Sequence, residues 1–226
     1  MKAGKPTVKK TQVLIIDDHP MTRAGLVHLI NHQPDLVVCG EAANAAQALE
    51  ILDSSRPDLL LIDITLPGKS GLELIKDVKA IRPELLMLVI SMHDESLYAD
   101  RVLRAGARGY ITKHEGGEKL IEAIRHVLSG KIYVSESMSA HILEIFSGGQ
   151  AALDRSSIEK LSDREFEVFE SLGAGLSSQQ IAKKLHLSAK TVDAHRANIK
   201  TKLNIKTTAE LIAYAARWIS HRAQKG

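Results

Sequence analysis

Four nearly continuous apolar runs in the first half of the chain each end on a polar residue. Val13 to Ile16 leads to Asp17 and Asp18, Leu59 to Ile62 to Asp63, Met87 to Ile90 to Ser91, and Tyr110 to Thr112 to Lys113. Runs this uniform lack the alternation of a half-exposed strand, and they fit strands buried on both faces of a parallel sheet. With a fifth run around Cys39, they alternate with helix-like segments of roughly ten to fifteen residues between Gln12 and about Tyr133, the order expected of βα units. The fold expected here is therefore α/β, doubly wound, with five parallel strands.

An open parallel sheet binds ligands beyond the carboxyl ends of its strands, where the winding reverses. Asp17, Asp18, Asp63, Ser91 and Lys113 would then converge on one pocket. Three carboxylates held together repel one another unless a cation sits among them, and Mg²⁺, a hard ion that takes oxygen ligands, suits that set. Asp63 stands alone at its strand end before the turn Thr65-Leu66-Pro67-Gly68, which leaves its carboxylate free to act as a nucleophile toward phosphorus. Lys113 would offset charge on the transferred oxygens, and Ser91 would donate a hydrogen bond to one of them. Taken singly, an Asp at a strand end is a turn or cap residue and a Lys is solvated. Four strand ends in succession argue against that reading.

Helix starts are marked as well. Asn44 with Gln47 and Ser70 with Glu73 resemble capping boxes, as do Ser162 with Glu165, Ser177 with Gln180 and Thr207 with Glu210; Ser188 is a plain N-cap. Beyond Ile158 no strand-like run occurs. The spacing predicts four helices starting near residues 163, 178, 189 and 208, the second and third joined by the turn Leu185-His186-Leu187-Ser188, a helix-turn-helix. Residues 1–10 have neither apolar periodicity nor aromatics and read as a disordered leader. Residues 134–157, which include Ser147-Gly148-Gly149-Gln150, read as a linker. The expected domains are residues 11–133 and 158–222.

Charge separates the two halves. From Arg155 onward 13 Lys or Arg face 7 Asp or Glu, whereas residues 11–154 carry 13 against 20. A basic rear domain suits a nucleic-acid partner. One cysteine, no signal-peptide pattern and no apolar run near the roughly 18 residues of a membrane span point to a cytoplasmic protein without a membrane partner.

In the third rear helix, at 100° per residue, Val192, Ile199 and Leu203 fall within about 20° of one another and face the core. The opposite face carries Asp193, Ala194, Ala197, Asn198 and Thr201, with Lys190, Arg196, Lys200 and Lys202 on its flanks. That face suits the major groove and the flanks suit phosphates. Ala194 and Ala197 would allow close approach to a thymine methyl. Asn198 would read adenine or touch the backbone, and Asp193 would accept from cytosine or pair with Lys190 or Arg196. The last helix has an apolar arc of Leu211, Ala215 and Trp218 beside Ile212, Ala216 and Ile219. That arc is wide enough for either a dimer surface or a broad core contact.

The segments Ile15 to Pro20, Leu61 to Gly68, Val89 to Asp94 and Gly109 to Lys113 resemble the receiver domain of two-component response regulators. Leu161 to Glu165, Gly175 to Ala182 and Ser188 to Ile199 resemble the helix-turn-helix of the NarL/FixJ (LuxR-type) regulators. The resemblance implies a strand order of 2-1-3-4-5, an order the doubly wound folds share. It implies that a sensor histidine kinase phosphorylates Asp63, and that Asp17, Asp18, Asp63 and the Thr65 backbone carbonyl hold Mg²⁺. It further implies that Lys113 contacts the phosphoryl group while Ser91 and Tyr110 switch, and that Thr191 joins the DNA-contacting helix residues. The function implied is a transcription regulator whose phosphorylation promotes dimerisation and binding to double-stranded promoter DNA, and which is no enzyme toward external substrates. Two rivals follow from the residues. One is a magnesium-dependent phosphohydrolase, disfavoured because position 65 is Thr and supplies no second acid. The other is a DNA-binding protein indifferent to phosphate.

Overall fold

The computed structural model describes residues 10–136, 138–140 and 157–223. The expected leader, Lys10 apart, and most of the expected linker lie outside the described residues. Strands β1 (Thr11–Ile16), β2 (Leu36–Ala42), β3 (Leu59–Ile62), β4 (Leu86–Ser91) and β5 (Gly109–Thr112) form one sheet in the order β2-β1-β3-β4-β5. Every pair in it is parallel, as the apolar runs predicted. Successive residues face opposite sides. Leu14, Ile16, Leu60, Ile62, Met87 and Val89 pack toward α2 (Ala45–Ser54), α3 (Gly71–Ile81) and α4 (Glu95–Ala105). Val13, Ile15, Leu59, Leu61, Leu88 and Ile90 pack toward α1 (Pro20–Asn31) and α5 (Gly117–Leu128). Each fully buried Leu or Ile contributes roughly 1.5–3 kcal/mol, so the two-sided burial dominates the stability of the sheet. Strand β2 lies at an edge and buries fully only its ends, Leu36 and Ala42. Cys39 is half-buried there, and burial pushes its thiol up from the ordinary range.

The predicted caps are in place. Ser70 accepts from the Glu73 amide while the Glu73 carboxylate accepts from the Ser70 amide, and Asn44 caps α2 through the Gln47 amide. Two helices lack such a signal: α1 begins on Pro20 with no side-chain cap, and α5 begins after Gly116 at φ +86°.

Four helices follow in the described C-terminal part: α6 (Asp163–Gly173), α7 (Ser178–Lys184), α8 (Ala189–Leu203) and α9 (Thr208–Ala223). Reciprocal cap bonds join Ser162 with Glu165, Ser177 with Gln180 and Thr207 with Glu210, and Ser188 caps α8. Helices α6 and α9 cross closely at Gly173, where a Cβ would stand 2.5 Å from Ile219 Cδ1 and 2.8 Å from the Ala215 backbone. Trp218 packs edge-on against Phe166 and Phe169 at 5.6 and 5.7 Å.

The helical domain is docked on the α3–α4 side of the sheet. Phe166 meets Tyr98 of α4 edge-on at 5.2 Å, and the Arg101 guanidinium lies 4.2 Å above the Phe166 ring. Arg101 also donates to the carbonyls of Ile158 and Leu161, at 2.6 and 3.1 Å. Trp218 borders the groove between the domains with Leu97 and Arg101. Part of the wide apolar arc of α9 is thus used inside the chain. Leu211 and Ala215 are fully buried and Trp218 half-buried, while Ile212 is 39% exposed.

Candidate functional site

The register places Ile16 beside Ile62 and Ile62 beside Val89, so Asp17, Asp63 and Ser91 leave the sheet along one edge. Ser91 in turn pairs with Thr112, which delivers Lys113 to the same edge. The Lys113 ammonium bonds Asp17 Oδ2 and Asp63 Oδ2, each at 2.7 Å, and both carboxylates are buried. Asp63 Oδ1 accepts from the Thr65 amide at 3.3 Å, and Asp17 Oδ1 from the His19 amide at 2.8 Å. Burial pushes the Asp63 carboxyl up, and the Lys113 charge opposes that shift. For Lys113 burial acts downward, yet Asp63 and Asp17 hold the ammonium above its usual range.

Asp18 completes the acid group. Ligand atoms of Asp17, Asp18, His19 and Asp63 all lie within 4.8 Å of one another. Asp18 Oδ1 is buried and takes part in no hydrogen bond, although the His19 ring comes within 2.7 Å of it. Three carboxylates gathered within 4.8 Å fit a hard divalent cation, which the pocket would hold through Asp17, Asp18 and Asp63. The Thr65 carbonyl stands in the loop that follows Asp63.

Ser91 is fully buried, and its Oγ accepts from the His93 amide at 3.2 Å. Tyr110 is turned inward, donating to the His93 carbonyl at 2.8 Å; burial pushes its phenol far up. The five strand-end residues and Tyr110 therefore occupy one locality.

Three features had no local signal in the sequence. Gly71, the first residue of α3, approaches the acceptor backbone so closely that a Cβ would lie 2.1 Å from the Asp63 carbonyl oxygen. His93 joins three segments: its Nε2 is 3.1 Å from Thr65 Oγ1, and its Nδ1 is 3.6 Å from Glu170 Oε1 on α6. Arg164 of α6 donates to the Gly68 carbonyl at 2.7 Å, in the loop after Asp63. The docked domain thus touches both loops that follow Asp63 and Ser91.

Beneath this contact Glu167, paired with Arg164, is buried to 1% exposure. Burial pushes its carboxyl from 4.5 up to about 7. The folded chain therefore holds a proton that the unfolded chain releases, and stability falls as pH rises from 4.5 to about 7. Melting curves of the full chain should show a loss on the order of 2 kcal/mol across that window, and Glu167→Gln should flatten it. An unchanged pH profile in the variant would refute this.

On α8, Val192 and Ile199 are buried and Leu203 half-buried, while Lys190, Asp193, Ala194, Ala197, Asn198, Thr201 and Lys202 are exposed. Thr191, Arg196 and Lys200 are half-buried. Arg196 bonds Asp193 Oδ1 at 3.0 Å and Ser178 Oγ at 2.6 Å, so the pairing alternative for Asp193 is the one seen. Lys202 points at Glu165, 2.6 Å away, and would exchange that partner for a phosphate. The Thr191 hydroxyl lies 2.7 Å from the capping Ser188 Oγ. Despite the docking, the outward face of α8 stays open to solvent. Among the described residues no helix is long and apolar enough to cross a membrane.

Comparison with known proteins agrees with this geometry. The family profile of the response regulator receiver domain matches residues 13–125, and that of the bacterial regulatory proteins of the luxR family matches residues 159–215. The oxygen regulatory protein NreC of Staphylococcus epidermidis is 35% identical over 211 residues, covering 91% of this chain and 97% of the relative. NreC of Staphylococcus aureus is 36% identical over 210 residues, with the same coverage. Among solved structures, RcsB of Salmonella enterica serovar Typhimurium, bound to promoter rprA with the phosphomimetic BeF3⁻, gives a TM-score of 0.61. It is 26% identical and covers 92% of this chain and 99% of that one. A LuxR-family two-component response regulator from Aurantimonas sp. gives 0.57 at 32% identity, over 62% of this chain and 99% of that one. With a receiver domain and a luxR-family domain both matched along one chain, and NreC relatives matched over 91% of its length, the chain belongs to the NarL/FixJ-type response regulators.

Proposed function

We propose that the chain is a DNA-binding regulator of transcription switched by phosphorylation of Asp63. The observation that carries this reading is the pair of hydrogen bonds that Lys113 donates to Asp17 and Asp63, directly beneath the docked helix-turn-helix. Asp63 Oδ attacks the phosphorus of a phosphohistidine on a sensor kinase; the new O–P bond forms as the N–P bond breaks, and the imidazole leaves. Bound Mg²⁺ supplies positive charge to the phosphoryl oxygens. Lys113 leaves its bridging position to meet the new phosphoryl charge, a compact cation suited to one anionic oxygen. Ser91 swings toward the same group, releasing the His93 amide, and Tyr110 follows because its hydroxyl is tied to the His93 carbonyl. His93 and Arg164 then carry the displacement into α6. Phosphorylation need shift the docked equilibrium by only a few kcal/mol to free the helical domain.

The freed domain pairs with a second copy and reads DNA through Asn198, Ala194 and Ala197, with Lys190, Lys200, Lys202 and Arg196 against phosphates. The RcsB relative seen on promoter DNA, and as two dimers on two DNAs, supports this assembly for a chain of the same plan. The protein works in the cytoplasm and turns over only its own phosphoryl group, since Thr65 provides no acid for an external leaving group. DNA affinity and oligomer mass, with and without a beryllofluoride mimic, test the proposal for native protein and Asp63→Ala. Only the native protein should respond; an equal response from the variant would reject Asp63 as acceptor.

A further inference from the structure

The turn between α7 and α8 does more than join two DNA-binding helices. His186 within it sits at φ +53°, a left-handed backbone that a non-glycine residue adopts at some cost. That conformation aims its ring out of the helical domain and into the acid pocket, where Nε2 lies 3.0 Å from Asp18 Oδ2. Asp18 is thereby engaged from one side by the DNA-binding domain, while its other oxygen, Oδ1, is buried with the His19 ring nitrogen 2.7 Å away. A divalent cation among Asp17, Asp18 and Asp63 draws on the Asp18 carboxylate for a ligand oxygen. His186 bonds that same carboxylate from the other domain, so the ring and the cation call on one group.

We propose that His186 competes with the cation for Asp18, so that docking of the helix-turn-helix weakens metal binding and metal binding detaches this corner of the interface. The inference rests on the reading of the pocket as a cation site. It assigns His186 a role toward the metal, separate from any contact with DNA or phosphate. By reciprocity the two equilibria shift by the same factor. Other interdomain bonds, among them Arg164 to the Gly68 carbonyl, Lys76 to Asp163 and Arg101 to the Ile158 carbonyl, do not involve the acid pocket. Metal alone therefore loosens the turn without expelling the domain.

The test is calorimetric titration of the full-length chain with Mg²⁺, without phosphodonor, at fixed pH and ionic strength. Native protein is compared with His186→Asn, whose shorter side chain tolerates positive φ but falls short of Asp18, and with His186→Gly as a second variant free of backbone strain. Hydrogen exchange of the 185–188 amides is followed in parallel. Both variants should bind Mg²⁺ about three- to tenfold more tightly, the range expected for loss of one competing hydrogen bond. In the native protein Mg²⁺ should speed exchange in the turn. Equal affinities in all three proteins would overturn the competition and leave the cation site standing. Weaker binding in the variants would overturn it too, making His186 a ligand. No Mg²⁺ binding by any of the three would overturn both the cation site and the inference.

Discussion

Lys113→Met should lower the unfolding free energy by about 3 kcal/mol in EDTA, a drop of roughly 10 °C or more in Tm for a domain of this size. In the native chain the Lys113 ammonium lies between two carboxylates that water cannot reach, bonding each at 2.7 Å. Removing one member of a buried ionic group leaves the others unpaired, which costs far more than loss of a surface ion pair. Two outcomes identify the cause. Millimolar Mg²⁺ should restore part of the lost stability, because a cation again sits among the acids. The double variant Lys113→Met with Asp63→Asn should be more stable than Lys113→Met alone, because one of the two stranded charges is gone. If Lys113→Met melts with the native protein in EDTA, the lysine does not hold the pocket together.

Gly71→Ala is expected to cost about 3 kcal/mol and to abolish acceptor labelling in whatever protein remains folded. The added methyl would stand 2.1 Å from the Asp63 carbonyl oxygen and 2.8 Å from the Ile64 Cα. Both neighbours are backbone and cannot rotate away. Either α3 lifts from the sheet, exposing Leu72 and Ile75, or the acceptor peptide shifts and carries the Asp63 carboxylate out of reach of Lys113. Gly25→Ala provides the contrast. It lies within α1 with nothing within 4 Å of the added atom, so the higher helix propensity of alanine should leave the protein unchanged or up to about 1 kcal/mol more stable. Similar melting of the two variants would remove the steric argument for Gly71.

What the sequence made legible was local or periodic. Continuous Val, Ile and Leu in three strands can mean only two-sided burial, and the residues just past them mark one edge of the sheet. The four rear helices begin where Ser162, Ser177, Ser188 and Thr207 each cap an N-terminus, because the bond from cap to backbone spans three residues and is readable in a short window. The starts of α1 and α5 were not legible in this way, since Pro20 and Gly116 act through backbone angle and leave no paired side-chain signal. Harder still were Gly71, His93, Arg164 and His186. Gly71 meets a backbone across a loop, the partners of the other three lie partly in the other domain, and nothing near them in the chain announces those neighbours. The pairing of Arg196 with Asp193 was open to sequence reasoning, because the two lie at helical spacing, whereas the bond of Lys202 to Glu165 on another helix was not. Sequence spacing places a side chain on a face and does not reveal what has reached it first.

The outer face of α8 is uncovered while the domains are docked, and this bears on how strongly a kinase can be heard. Hiding the reader would make output follow the fraction of molecules uncovered, in simple proportion. Under the proposed function, with the reader always in view, discrimination would fall to the joining of two copies on two half-sites, and the number of joined pairs would grow with the square of the phosphorylated population when that population is small. Halving the phosphorylated population would then quarter promoter occupancy, a steeper response than any single molecule could give.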